Sequence, residues 1–126
     1  MDITGLDHFV LTVEDVETTC EFYSDVLDAE IVTFGEGRKA VQFGDQKINL
    51  HPAGNEFDPK AGRPTPGAGD FCVVTETAIE TVERRLREAG VEIVHGPVGQ
   101  PGATGPMTSV YFDDPDGNLV EIAEYH

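Results

Sequence analysis

An internal repeat is the feature that most restricts what this chain can fold into. The segment Glu30-Ile31-Val32 reappears as Glu92-Ile93-Val94, 62 residues further on, and the same offset places His8 on Asp70. Each copy begins with an alternating apolar pattern typical of a strand, followed by apolar residues at helical spacing. The chain is therefore predicted to contain two similar modules that repeat one order of elements.

The first module is predicted to have the order βαβββ. The alternating run LDHFVLTV from Leu6 to Val13 indicates a strand, and Thr12 to Asp15 resembles a capping box that starts a helix. Three β-rich runs separated by glycine-containing turns then follow. These three strands are predicted at Ala29–Phe34, Lys39–Phe43 and Lys47–His51.

The second module restarts the pattern after a connector rich in glycine and proline. A strand is predicted at Gly69–Val74, a capping box at Thr77–Glu80, a helix that ends at Gly90, and a strand at Val91–Val94. The residues from His95 to Pro106 are predicted to form a long loop. We therefore expect one α+β domain over residues 1–126, with module one at about 4–52, a linker at 53–68 and module two at about 69–125.

The last predicted strand carries a carboxylate where an apolar face is expected. A Pro-Asp-Gly turn separates two apolar runs, and Glu121 then lies between Val120 and Ile122. Burying an unpaired carboxylate would cost several kcal/mol or neutralise it, so a partner is expected, most simply a metal ion.

The repeat directs the search for further metal ligands to three positions. The longer loop of module two shifts the offset of the last strand to 70, and this alignment places His51 on Glu121. All four repeat positions then hold side chains that can bind a metal: His8, His51, Asp70 and Glu121. Two histidines and one carboxylate suit Fe(II), Mn(II), Zn(II) or Ni(II). Asp70 is either a fourth ligand or a general base beside the metal.

Composition limits the partners and the surroundings of the protein. Aspartate and glutamate number 24 against 8 lysines and arginines, for a net charge of −16, which disfavours binding to nucleic acid or to anionic lipid. Molar salt shortens the screening length to about 3 Å and would relieve the self-repulsion, so we hypothesise a halophilic source. Two cysteines without CxxC spacing and no apolar span predict buried free thiols and a cytoplasmic protein.

The motifs together resemble the vicinal oxygen chelate superfamily, which includes glyoxalase I, extradiol dioxygenases, and fosfomycin- and bleomycin-resistance proteins. The resemblance rests on LDHFVLTV, EFYSDVL, FGDQKINLH, GDFCVVTE, GATGPMTSVYF and DPDGNLVEI. It is closest to the subgroup of glyoxalase-domain-containing protein 5. It implies that the two modules curl into an incomplete barrel around a divalent metal that binds two neighbouring oxygens of a substrate.

The resemblance carries His8 over as the first ligand and Glu121 as the last. Glyoxalase I has a His/Glu/His/Glu set of metal ligands. His51 and Asp70 stand where that set has its first glutamate and its second histidine, so these two positions depart from the family pattern. The implied function is a metalloenzyme of the glyoxalase or dioxygenase type, either a lyase or isomerase or a ring-cleaving oxidoreductase, with Asp70 and Glu121 as catalytic residues. The alternative is a non-catalytic protein of the bleomycin-resistance type that sequesters a drug or metabolite. Open sheet edges lead us to expect a homodimer.

Overall fold

The computed structural model describes all 126 residues, and they divide into two compact units, Met1–Gly67 and Ala68–His126. Each unit contains one helix and one open four-stranded sheet, which confirms the α+β prediction of two tandem βαβββ modules. Neither helix has the length and the apolar character needed to cross a membrane.

The first unit follows the predicted order of elements. The elements are β1 (His8–Val13), α1 (Val16–Leu27), β2 (Glu30–Phe34), β3 (Arg38–Phe43) and β4 (Gln46–Pro52). The sheet has the strand order β1-β4-β3-β2, with β1 and β4 parallel and the other pairs antiparallel. Helix α1 packs against the sheet, and Tyr23 and Leu50 are fully buried there.

The second unit repeats this topology. Its elements are β5 (Asp70–Val74), α2 (Ile79–Glu88), β6 (His95–Pro101), β7 (Pro106–Asp113) and β8 (Leu119–Tyr125). The strand order is β5-β8-β7-β6, in which β5 and β8 are parallel. Phe112 and Val120 are fully buried in the core of this unit.

The position of β6 corrects the sequence prediction. Val91–Val94 is not a strand, and the segment after it, predicted to be a loop, forms β6 instead. Prolines are tolerated in β6 because it is the edge strand of the sheet and pairs only with β7. Gly96 passes so close to β7 that an added Cβ would clash with the Ser109 carbonyl oxygen, which explains why glycine occurs inside this strand.

Both predicted capping boxes are also wrong. Thr12 lies within β1, and α1 is capped by Asp15, whose carboxylate accepts a hydrogen bond from the Thr18 amide at 3.0 Å. The first residue of α2 has no local cap. Instead, the Ile79 amide donates to the Glu124 carboxylate on β8 at 3.0 Å, so a strand supplies the acceptor that the preceding loop lacks.

Candidate functional site

Each unit places two polar residues in the same diagonal arrangement on its pair of parallel strands. In the first unit, His8 pairs with Lys47 and Val10 pairs with Asn49, so Asn49 lies one strand over and two residues beyond His8. In the second unit, Asp70 pairs with Leu119 and Cys72 pairs with Glu121, so Glu121 has the same relation to Asp70. Because partners in a parallel ladder point to the same side, each diagonal pair shares one face of its sheet.

This register corrects the repeat alignment. Val10 and Cys72 are equivalent at the offset of 62, and their partners are Asn49 and Glu121, which differ by 72 rather than 70. The repeat position of Glu121 is therefore Asn49, not His51. The sequence contains a signal for this, because Ile48-Asn49-Leu50 and Val120-Glu121-Ile122 both place a polar residue between two aliphatic ones.

Glu121 is held by uncharged donors. The hydroxyl of Ser109, which is fully buried, donates a hydrogen bond of 2.6 Å to Glu121 Oε2. No lysine, arginine or histidine lies within ion-pair distance of this half-buried carboxylate. Its charge therefore has fixed donors but no neutralising partner from the chain, which is the environment expected of a carboxylate that binds a cation.

Two further groups beside Glu121 stay protonated at neutral pH. Burial raises the pKa of the Cys72 thiol to about 11, and the charge of Glu121 and a hydrogen bond to it add to the shift. The pKa of the Tyr111 phenol is raised in the same way, first by burial and then by the hydrogen bond to Glu121 and its charge. Cys72 is a free thiol. The residue as a whole is exposed, contrary to the expected burial, although its thiol is partly covered. The raised pKa makes the thiol a poor nucleophile.

His8 is oriented in a way that suits a metal ligand. Its Nδ1 donates to the Asp7 carboxylate at 2.7 Å, and a carboxylate that accepts from one ring nitrogen leaves the other nitrogen as the lone-pair donor. His8 and Asp70 are both exposed, each at the first residue of its strand. Neither residue is enclosed by its own unit, so both side chains are open to a ligand.

Asn49 has an unsatisfied oxygen. The residue is only 6% exposed, and its Oδ1 is buried without a hydrogen-bond partner. Leaving a buried acceptor unpaired costs about 1–3 kcal/mol, so a partner from outside the chain would relieve a real penalty. A carbonyl oxygen is a ligand type that hard divalent cations accept.

His51 has a positive charge as its neighbour. It is 3% exposed, and its Nε2 accepts a hydrogen bond from Arg38 Nη2 at 3.3 Å. Burial lowers the pKa of His51, and the positive charge of Arg38 lowers it further. A divalent ion on this imidazole would have to displace or face a guanidinium, which repels it. Sequence reasoning missed Arg38, although the Phe34-Gly35-Glu36-Gly37-Arg38 turn places it directly across from Phe34.

Of the four residues predicted as ligands, the structure places one pair close together and separates the other pair. Asp70 and Glu121 lie diagonally on one face, whereas His8 and His51 are four residues apart along their strands, a separation of about 13 Å. No group of three or more histidine, cysteine, aspartate or glutamate side chains is gathered where it could hold a metal. Taken one unit at a time, the residues whose surroundings suit a cation ligand are His8 and Asn49 in the first unit and Glu121 in the second, where Asp70 is exposed at the position that corresponds to His8.

Comparisons with known proteins agree with this fold. The model of the Glyoxalase/Bleomycin resistance protein/Dioxygenase superfamily matches residues 5–122. Virulence protein STM3117 of Salmonella typhimurium is 54% identical over 99% of this chain and 87% of its own length. Its crystal structure is similar with a TM-score of 0.98 and covers 100% of both chains at 53% identity.

Two further relatives carry names that describe a domain or an activity. Glyoxalase domain-containing protein RDO1 of Mycosarcoma maydis is 46% identical over 99% of this chain and 70% of its own length. Metallothiol transferase FosB of Shouchella clausii is 29% identical over 95% of this chain and 80% of its own length.

Proposed function

Because the chain belongs to the Glyoxalase/Bleomycin resistance protein/Dioxygenase superfamily, we propose that it is a divalent-metal-dependent enzyme that acts on a small molecule with two neighbouring oxygens. The observation that carries the proposal is the environment of Glu121, a half-buried carboxylate held by Ser109 and lacking any cation from the chain. A carboxylate in such a setting is stabilised by a bound cation.

We assign Glu121 of the second unit, and His8 and Asn49 of the first unit, as residues able to bind a metal, with Asp70 as a further ligand or as a general base. His51, which the sequence predicts as a ligand, contacts Arg38, and this positive neighbour disfavours a metal there. The metal is expected to be iron, manganese, zinc or nickel. When bound, it would supply Lewis acidity toward the two substrate oxygens.

The side chains around the ligands have separable roles in this proposal. Ser109 fixes one oxygen of Glu121, and Asp7 fixes the ring of His8, so both ligands are oriented before a metal arrives. Tyr111 is a neutral phenol at physiological pH, because burial and Glu121 raise its pKa, and it can donate a proton in a hydrogen bond. Asp70 is exposed and can accept a substrate proton.

The proposal is tested by elemental analysis of protein purified without chelators and after reconstitution. Wild type is expected to hold close to one divalent metal per chain, and Glu121→Gln is expected to lose most of it. Glu92→Gln removes an exposed carboxylate from the same unit and is expected to keep the metal. Wild type without metal after reconstitution, or equal metal in wild type and Glu121→Gln, would refute the ligand assignment.

The element found separates the two reaction classes. Ferrous iron with oxygen consumption on catechols would support ring cleavage, and nickel or zinc with turnover of a hemithioacetal would support a lyase or isomerase. Asp70→Asn is expected to reduce turnover while retaining metal if Asp70 is the base. If Asp70 is a ligand, the same change lowers metal content as well.

A second function is a non-catalytic protein that sequesters a drug or metabolite. It is favoured by the fact that the structure gathers no group of three or more histidine, cysteine, aspartate or glutamate side chains for a metal. Under this function, a small-molecule ligand would bind equally well with and without added metal, and no turnover would be detected. Turnover that disappears in Glu121→Gln and survives in Glu92→Gln would exclude it.

A further inference from the structure

The first unit carries a cluster of cations and aromatic rings on the sheet face that also holds Asn49. We call it the cationic cluster and define it by Phe34, Arg38, Lys47, His51 and Phe57. The Cζ of Arg38 lies 5.0 Å from the ring centroid of Phe34 and 4.5 Å from that of Phe57. The Nζ of Lys47 lies 3.6 Å from the same Phe34 centroid.

Neither cation of the cluster is neutralised. The chain has 8 lysines and arginines against 24 acidic residues, yet Arg38 and Lys47 form no salt bridge. Two carboxylates adjoin Phe57 in sequence: Glu56 accepts from the Gly54 amide at 2.8 Å and lies 3.9 Å from Lys60, and Asp58 is exposed and forms no salt bridge with Arg38 or Lys47. Two half-buried like charges that share one ring repel each other, so an anion between them would relieve the repulsion.

Arg38 also has an unsatisfied donor. Its Nε is buried without a hydrogen-bond partner, and the only acceptor that its Nη2 contacts is His51. The two phenylalanine rings stabilise the positive charge but supply no conventional acceptor for its five N–H groups. The guanidinium is thus held in place by its neighbours while its hydrogen-bonding capacity remains mostly unused.

We propose that the cationic cluster binds the carboxylate of a small, partly apolar organic acid. A carboxylate matches the planar fork of a guanidinium, Lys47 supplies a second charge, and the phenylalanine rings offer an apolar wall for the rest of the molecule. Lys47 and His51 flank Asn49 on one face of β4, so the bound acid would lie beside Asn49. That such an acid is the substrate of the enzyme rests on the proposed function, but binding of the carboxylate itself requires no metal.

The test measures binding by calorimetry to chelator-treated protein at constant ionic strength, so that its outcome does not depend on a metal. The probes are benzoate, the neutral isostere benzamide, and inorganic phosphate. Wild type is expected to bind benzoate at least about tenfold more tightly than benzamide or phosphate. Arg38→Met is expected to weaken benzoate binding about tenfold, and Lys47→Met several-fold.

Arg84→Met is the matched control, because Arg84 is exposed on α2 and pairs with Glu88. It is expected to bind benzoate as wild type does. If Arg38→Met fails to fold by circular dichroism, Lys47→Met and Arg38→Lys decide the outcome. Amide shifts caused by benzoate should fall on β3, on β4 and near Phe57.

Three results would overturn the inference. They are benzoate and benzamide binding alike, benzoate affinity unchanged in the folded cluster variants, or shifts that map to another part of the chain. Tighter binding of phosphate than of benzoate would also reject the carboxylate class. Metal content and benzoate affinity are measured separately, so the two proposals can fail independently. A protein that binds metal but not benzoate refutes this inference alone. A protein that binds benzoate but no metal refutes the proposed function alone.

Discussion

The two units share one topology but differ in the charge that their equivalent faces carry. In the first unit, Arg38 contacts a neutral His51, Lys47 lies over the Phe34 ring, and no carboxylate pairs with either cation. In the second, Glu121 is surrounded by Ser109 and other uncharged donors, with no cation in contact. A repeat can therefore preserve backbone positions while the side chains on the equivalent faces carry opposite charge, positive in the first unit and negative in the second.

The units also differ in how their parallel strands are joined. In the second unit, the Asp114 carboxylate accepts from the amides of Asp116 and Asn118 at 2.9 Å and from Asn118 Nδ2 at 2.8 Å. Asn118 Oδ1 in turn accepts from the Gly69 amide at 2.7 Å, which ties β8 to the start of β5. In the first unit, the corresponding link is a single exposed bond of 2.7 Å from Gln46 Nε2 to the Leu6 carbonyl.

The largest expected difference between the units concerns these links. Asn118→Ala removes the two hydrogen bonds that the Asn118 side chain makes in a buried network, one of them to the Asp114 carboxylate, and is expected to lower the free energy of unfolding by about 3 kcal/mol. Gln46→Ala is expected to cost less than about 1 kcal/mol because its bond is exposed. Urea denaturation measures both values, and equal losses would show that the two links are equivalent.

Ser109 offers the next largest effect. Ser109→Ala removes the hydrogen bond that orients Glu121, so divalent-metal affinity is expected to fall about 10- to 100-fold. Competition with a chelating dye measures this affinity. Thr108→Ala, which changes the neighbouring residue on the other face of β7, serves as the control and is expected to leave the affinity unchanged. Affinity unchanged in Ser109→Ala would mean that Glu121 needs no orientation or is not a ligand.

Asn49 is expected to show opposite effects on stability and on metal binding. Asn49→Leu removes a buried oxygen that has no partner, so the metal-free protein is expected to become more stable by about 1 kcal/mol. The same change is expected to weaken metal binding about tenfold. Denaturation in chelator and metal competition measure the two effects. A loss of stability in the metal-free protein would indicate that Asn49 is a structural residue.

The smallest expected effect concerns the pH dependence of the first unit. The pKa of His51 is lowered in the folded state, so the folded protein favours its neutral form. The resulting stability is fully present above the ordinary pKa of 6.5. It is lost as the pH falls from that value through the lowered pKa of the folded state. Arg38→Met removes the second cause of the shift, so the pKa of His51 should rise but remain lowered by burial. NMR titration of the ring proton measures it, and an unchanged pKa would contradict the contact.

Much of the fold follows from the sequence because its periodic segments are also its buried ones. The alternation from Leu6 to Val13 predicts β1, and the repeat predicts the second βαβββ order. The edge strand β6 could not be recognised, because glycine and proline indicate a loop when no tertiary pairing is known. The cap of α2 was equally hidden, since its acceptor, Glu124, is 45 residues away in sequence.

The candidate site is predictable only in part for a similar reason. Glu121 is recognisable as a carboxylate between aliphatic residues, but whether Asn49 or His51 is its counterpart depends on strand register, and a shift of two residues preserves the face. The role of Arg38 depends on contacts with Phe57 in the connector, which no periodic pattern predicts. Histidine in a sequence indicates a metal ligand, whereas the amide oxygen of an asparagine gives no such signal.

Elemental analysis can decide whether Asn49 or His51 binds the metal. The variants His51→Ala and Asn49→Leu are purified beside wild type without chelators and reconstituted with the metal that wild type holds. The register and the Arg38 contact predict that His51→Ala keeps close to one metal per chain and that Asn49→Leu loses most of it under dilute metal. Metal retained in Asn49→Leu and lost from a folded His51→Ala would contradict the assignment, and a wild type that never binds metal would refute the proposed metalloenzyme.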